Sequence, residues 1–100
     1  MPEIKEKVRP ATVRKVVEPP MYRVLLHNDD YTTMQFVVNI LVAVFGKPFE
    51  QAFTIMLNVH RQGVGECGIY TYEVAETKVE TVHKLAVESG FPLKSSMEKV

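Results

Sequence analysis

From residue 21 onward, short runs of strand-forming residues alternate with longer stretches in which apolar positions recur at helical spacing. MYRVLLH (21–27) reads as a strand and stops at Asn28-Asp29-Asp30, a turn-forming cluster. Thr32 followed three residues later by Gln35 fits a capping box. Val37, Ile40, Leu41, Val44 and Phe45 then repeat with helical period until Gly46. Pro48 suits the first turn of a second helix, PFEQAFTIMLNVHRQ. It sets Ala52, Ile55, Met56, Val59 and His60 along one side and ends at Gly63. VGECGIYTY (64–72) alternates loosely, and its two glycines predict a bulge or an edge. A third helix from about Glu73 to Ser89 turns Ala75, Val79, Val82 and Ala86 inward and stops at Gly90; PLKSSME closes the chain as a short strand. The order β-α-α-β-α-β predicts an α+β fold, with three helices packed on one face of a small three-stranded sheet.

The first twenty residues lack this pattern. They hold four of the six prolines (Pro2, Pro10, Pro19, Pro20) and a mildly basic mixture of Lys5, Lys7, Arg9, Arg14 and Lys15 against Glu3, Glu6 and Glu18. Few large apolar residues among scattered prolines predict a flexible N-terminal extension over 1–20 and one folded domain over 21–100. One hundred residues with 46% hydrophobic and 24% charged side chains suffice for a single modest core. The formal net charge of zero and a slightly acidic domain argue against a nucleic-acid partner. FVVNILVAVF, the longest apolar stretch, is about half the roughly 20 residues of a membrane span, so no membrane partner is expected. MPEIKEKVRP lacks the apolar run of a signal peptide, and Cys67 is the only cysteine, which excludes an internal disulfide. Both features point to a cytoplasmic protein.

Catalytic machinery is nearly absent. There is no glycine-rich phosphate loop, no zinc-spaced Cys or His pair and no nucleophile elbow, so no cofactor is implied. Cys67, between Glu66 and Gly68 in a strand, reads as a buried structural thiol. Asp29, Asp30 and His60 could together hold a metal, which keeps a small metal-dependent hydrolase as the alternative. Asn28-Asp29-Asp30 is itself either a plain Asx-type turn or the mouth of a site for a cation.

Three segments, HNDDYTTMQFV, MLNVHRQG and YEVAETKVE, stand in an order and spacing that together resemble ClpS, the adaptor family of the Clp protease. The resemblance spans roughly residues 21 to 100. It implies a non-enzymatic adaptor that binds proteins whose first residue is Leu, Phe, Tyr or Trp and hands them to an AAA+ unfoldase. It assigns the α-amino contact to Asn28, Asp29 and His60. A protein N-terminus is an ammonium with three diverging N–H donors, and these side chains offer an amide oxygen, a carboxylate and a ring nitrogen as acceptors. The resemblance also implies a side-chain pocket formed by Thr32, Met34, Val37, Met56, Val59 and, from the last strand, Leu93, with Met34 as its gate. Glu73 and Lys78 match the contact positions for the unfoldase's N-terminal domain, and the extension matches the part needed for delivery. Asp30 is left to satisfy backbone donors in the turn. His27 and Thr33 depart from the family pattern. His27 either faces the core or adds a titratable group beside the site.

Overall fold

The computed structural model describes residues 17–100, so most of the 1–20 extension lies outside the described residues. The elements are β1 (Met21–His27), α1 (Met34–Ala43), α2 (Phe49–Gln62), β2 (Val64–Thr71), α3 (Tyr72–Ser89) and β3 (Lys94–Lys99), in the predicted order. β1 is the central strand, antiparallel to both neighbours in the order β2-β1-β3. Its alternation divides the sheet into two faces. Val24 and Leu26 are fully buried and join residues from all three helices in one core, among them Leu41, Ala52, Val82 and Ala86. The other face is open. There Arg23 reaches sideways to both flanking strands, with Nε 2.8 Å from Glu66 Oε1 and Nη1 3.0 Å from Glu98 Oε2. Such part-exposed pairs add little stability but cover a sheet face that no helix protects.

Three local expectations need correcting. The N-cap of α1 is Thr33, not Thr32: Phe36 N donates to Thr33 Oγ1 at 3.1 Å. Thr32 is engaged elsewhere, and the Thr32–Gln35 box does not form. β3 begins at Lys94, two residues later than PLKSSME implied, because Pro92 and Leu93 belong to the connection from α3. α1 ends at Ala43 with Val44 as its C-cap, two residues short of the expected stop at Gly46. Gly46 has φ 65°, its N–H bonds to Val42 O at 3.1 Å, and Lys47 N bonds back to Leu41 O at 3.0 Å, which turns the chain out of the helix.

β2 is both an edge and bulged. Val24 pairs with Gly68 while Leu25 pairs with Glu66, so Cys67 is the extra residue. Its side chain enters the core at 1% exposure, and burial pushes the thiol up to about 12. A thiol so protonated and enclosed is a packing group. Gly65 has a different reason to be glycine: a Cβ there would stand 2.6 Å from Val59 Cγ2. Its missing side chain lets α2 lie close against the sheet. β3 is fixed to α3 by Ser95 N donating to His83 Nε2 at 2.9 Å, and to β1 by Ser95 Oγ donating to Leu25 O at 2.7 Å. Among the described residues no helix is long and apolar enough to cross a membrane.

Candidate functional site

The chain leaves β1 through Asn28-Asp29-Asp30, and Asp29 organises the turn. Its Oδ1 accepts from Tyr31 N at 2.8 Å and Thr32 N at 2.7 Å, and its Oδ2 accepts from Thr32 Oγ1 at 2.7 Å. The turn-stabilising role expected of Asp30 therefore falls to Asp29, because a carboxylate placed just before two free amides can chelate both from within the turn. Asp30 is exposed and carries no side-chain hydrogen bond among the described residues. Partial burial works to raise the Asp29 carboxyl, but the Thr32 hydroxyl and the two amides outweigh it and hold the group below its usual 3.8. An ionised carboxylate offers about four lone-pair sites. Three are used by the turn, which fixes the carboxylate in place and leaves acceptor capacity for a cation.

The end of α2 is joined to the same turn. Gly63, in the left-handed conformation at φ 87°, terminates α2 and bonds its N–H to Val59 O at 2.9 Å. Its own carbonyl accepts from Asn28 N at 2.9 Å. This backbone link holds His60, one turn back on α2, beside the end of β1. Asn28 and His60 are both exposed, and neither side chain has a hydrogen-bond partner among the described residues.

Between the turn, the start of α1 and the last turns of α2 lies a hollow of about 210 Å³. Asn28, Asp29, Asp30, Thr32, Met34, Val37, Met56, Val59 and His60 line it. The polar groups stand on the turn and at the end of α2, while Val37, Met56 and Val59 are 2–6% exposed and form apolar walls. Met34, the first residue of α1, is 48% exposed and stands at the opening. An apolar cavity of about 150 Å³ is enough for benzene, so this hollow is on the scale of one large side chain. Every residue expected in the α-amino and pocket sets is brought here except Leu93. At 3% exposure, Leu93 belongs to the core and lines a separate hollow with His83, Ala86 and Phe91. Leu93 precedes β3 and joins the same buried cluster as Val37, Met56 and Val59. Gly65 was missed as a contributor: its glycine reads as a strand irregularity in sequence, whereas its close approach to Val59 positions a wall of the hollow.

The alternative metal site gains nothing from this geometry. Among the described residues no group of three or more His, Cys, Asp and Glu is arranged to hold a metal ion. His27 turns to the open face of the sheet, where its Nε2 lies 2.7 Å from Ser96 Oγ, so it is not a core residue. Glu73 and Lys78 lie elsewhere, along α3 with Val74 and Thr77 around a shallow hollow. Glu73 is exposed in the first turn of α3. Lys78 is not a free surface lysine: its Nζ donates to Val44 O at 2.8 Å and lies 5.2 Å from the Tyr70 ring centroid. It thereby satisfies a carbonyl at the C-terminal end of α1, where a cation is favoured.

The chain matches the family model described as ATP-dependent Clp protease adaptor protein ClpS over residues 17–96. The ATP-dependent Clp protease adapter protein ClpS of Desulforapulum autotrophicum is 65% identical over 98 residues, covering 98% of this chain and 94% of that protein. The protein of the same name from Nitratidesulfovibrio vulgaris is 68% identical over 82 residues, covering 82% of this chain and 79% of that one. Among solved structures, Agrobacterium tumefaciens ClpS2 bound to L-phenylalaninamide superimposes with a TM-score of 0.80 at 36% identity, over 83% of this chain and 100% of that chain.

Proposed function

Because the chain belongs to the ClpS family of Clp protease adaptors, a non-catalytic family, we propose that its 210 Å³ hollow captures the free N-terminus and first side chain of substrates beginning with Leu, Phe, Tyr or Trp. The observation that carries the reading is the Asp29 carboxylate, held ionised and immobile at the polar rim of a hollow with apolar walls. An α-ammonium placed there gives one N–H to the unused capacity of Asp29, one to Asn28 Oδ1 and one to an unprotonated nitrogen of His60. Each such charge-assisted bond contributes roughly 1.5–3 kcal/mol. Burying a Leu or Phe side chain against Val37, Met56 and Val59 contributes roughly a further 1.5–3 kcal/mol. An acetylated N-terminus or an internal residue lacks the donor set, so the selectivity for a chain start follows from the acceptors. The ligand of the Agrobacterium relative, a free-amine phenylalanine derivative, is chemically of this kind.

The test is fluorescence anisotropy with labelled peptides that differ only in the first residue, each with a free and an acetylated amine. Free-amine Leu, Phe, Tyr and Trp peptides are expected to bind, and their acetylated counterparts to lose at least about tenfold, the equivalent of one charge-assisted bond. Equal binding of the two Leu peptides removes the α-amine reading.

The same assay examines the gate. Met34 is half-exposed at the opening, and its thioether chain is expected to crowd side chains that branch at Cβ. Met34→Ala should admit Ile and Val peptides while costing Leu and Phe peptides comparatively little, since Met34 stands half-exposed at the opening. Continued exclusion of Ile by a folded variant would assign the boundary to another wall.

Delivery is to the N-terminal domain of the AAA+ unfoldase, through the α3 surface that carries Glu73 and Lys78. With Lys78 already bonded to Val44 O, its remaining N–H groups and the exposed Glu73 are what this surface offers. The extension over 1–20 is assigned to the handover of substrate, in the cytoplasm, where the reduced Cys67 belongs.

A further inference from the structure

The turn that borders the first hollow has a second side. Asn28, Asp29 and Asp30 also form one edge of a separate hollow of about 360 Å³, completed by His27, Tyr31, Pro92 and Lys94. Tyr31 is 78% exposed although it stands directly after the two carboxylates, and its ring has no aromatic partner among the described residues. Its backbone is not free to drift, because its N–H is held by Asp29. An aromatic ring kept in solvent by a fixed backbone is a ready contact surface, large in area and cheap in side-chain entropy.

We infer that this second hollow is a subsite for the second residue of the bound chain, and that it favours an aromatic side chain lying between Tyr31 and Pro92. The inference rests on the reading of the first hollow as the site of the α-amine. A chain whose ammonium is tied to Asn28 and Asp29 has its first side chain on one side of the turn. Its continuation must leave past the same residues, and Asn28, Asp29 and Asp30 border both hollows. The walls added by Tyr31 and Pro92 are an aromatic ring and a compact apolar pyrrolidine ring. With the Asp29 carboxylate matched by the bound ammonium, Asp30 and Lys94, of opposite sign, leave the hollow no net preference for a charged side chain. His27 is held to the sheet by Ser96 and contributes its ring surface.

The experiment compares free-amine peptides Leu-Phe, Leu-Ala, Leu-Glu and Leu-Lys with identical downstream sequences on the full chain. Each is measured alongside an acetylated Leu-Ala control and against Tyr31→Ala and Tyr31→Phe variants. Leu-Phe is expected to bind about three- to tenfold tighter than the other three, the effect of one well-placed aromatic contact. Tyr31→Ala should bring that ratio close to one, and Tyr31→Phe should keep it. Tyr31 is exposed, so both variants are expected to fold, and their thermal melts check this. A ratio near one in the unaltered protein, a charged second residue binding more tightly than Phe, or a ratio that survives in Tyr31→Ala each overturns the subsite. If acetylated and free Leu-Ala bind alike, the first-hollow reading fails and the subsite with it. Amine dependence without any second-residue effect overturns the subsite alone.

Discussion

An Asp29→Asn variant should fold with little loss and bind free-amine Leu peptides roughly 30- to several-thousand-fold more weakly. That range corresponds to the roughly 2–5 kcal/mol lost when one partner of a shielded, hydrogen-bonded charge pair is removed. Asparagine keeps an Oδ1 that can go on accepting from Tyr31 N and Thr32 N, the two bonds that define the turn. What changes is Oδ2. An amide there presents donors to an incoming ammonium, and Thr32 Oγ1 must rotate from donating to accepting. Asp29→Ala is the poorer test, because it deletes all three bonds, each worth about 0.5–1.5 kcal/mol, and confounds turn with ligand. Peptide titrations alongside thermal melts distinguish the two. An asparagine variant that binds within about threefold of the unaltered protein would mean that Asp29 is a turn residue only.

The pH dependence is set by the direction of the Asp29 shift. Its carboxyl is lowered in the fold, so its contribution to stability is complete above the unfolded value near 3.8 and is lost as pH falls through the lower folded value. Asp29 therefore stays ionised at every pH from 5 to 8, and no loss of peptide affinity in that window is its doing. Histidine is the side-chain type that changes charge there, and a protonated ring turns an acceptor into a cation facing a cation. His60→Ala should weaken binding at pH 7, because it removes one of the three acceptors for the ammonium. His27→Ala is the control, since His27 lines the neighbouring hollow and bonds Ser96. Unaltered Leu-peptide affinity in His60→Ala together with weakened affinity in His27→Ala would transfer the role to His27.

How much of the molecule is legible in its sequence depends on the range of the interaction concerned. Helix periodicity, the glycine stops at Gly63 and Gly90, and the β-α-α-β-α-β order depend on neighbours a few residues apart, and the structure reproduces them. That Asp29, and not Asp30, holds the turn was not legible. Adjacent carboxylates are equivalent in composition, and only the path of the backbone decides which one faces the amides of Tyr31 and Thr32. The same holds for Thr32 and Thr33, either of which could cap α1 until Asp29 claims the hydroxyl of the first. The start of β3 after Leu93 was not legible either, because strand starts are set by pairing with β1, which the sequence of a short terminal strand does not encode locally. The bond from Lys78 to the carbonyl of Val44 was equally illegible, because the two lie 34 residues apart. The hollow itself required packing of α2 on β2, and the residue that permits it, Gly65, carries no side chain to advertise the fact.

Gly65→Ala should therefore affect both stability and binding, from a position that does not line the hollow. Replacing glycine by alanine in a strand ordinarily stabilises by about 0.4–1 kcal/mol through the unfolded chain. Here the added methyl meets Val59 Cγ2 at 2.6 Å and Ile55 O at 3.4 Å, and Val59 is a short, branched side chain only 2% exposed. It has no flexible end to swing away, so α2 must move or Val59 must leave its rotamer. Overpacking of this kind costs roughly 1–3 kcal/mol and outweighs the entropic gain. For a domain of this size each kcal/mol lowers Tm by about 4–8 °C. Val59 walls the hollow and His60 is the next residue on α2, so the same displacement disturbs the apolar wall and one acceptor together. Leu-peptide affinity should fall several-fold, about 1 kcal/mol, in a protein that is still folded at 25 °C. Val59→Ala removes the offending methyl, so the Gly65→Ala/Val59→Ala pair should be less destabilised than the sum of the two single changes, by about 0.5–3 kcal/mol of coupling. A Gly65→Ala protein with unaltered Tm and unaltered Leu affinity would show that α2 has room to spare, and that the wall of the hollow is not set by this contact.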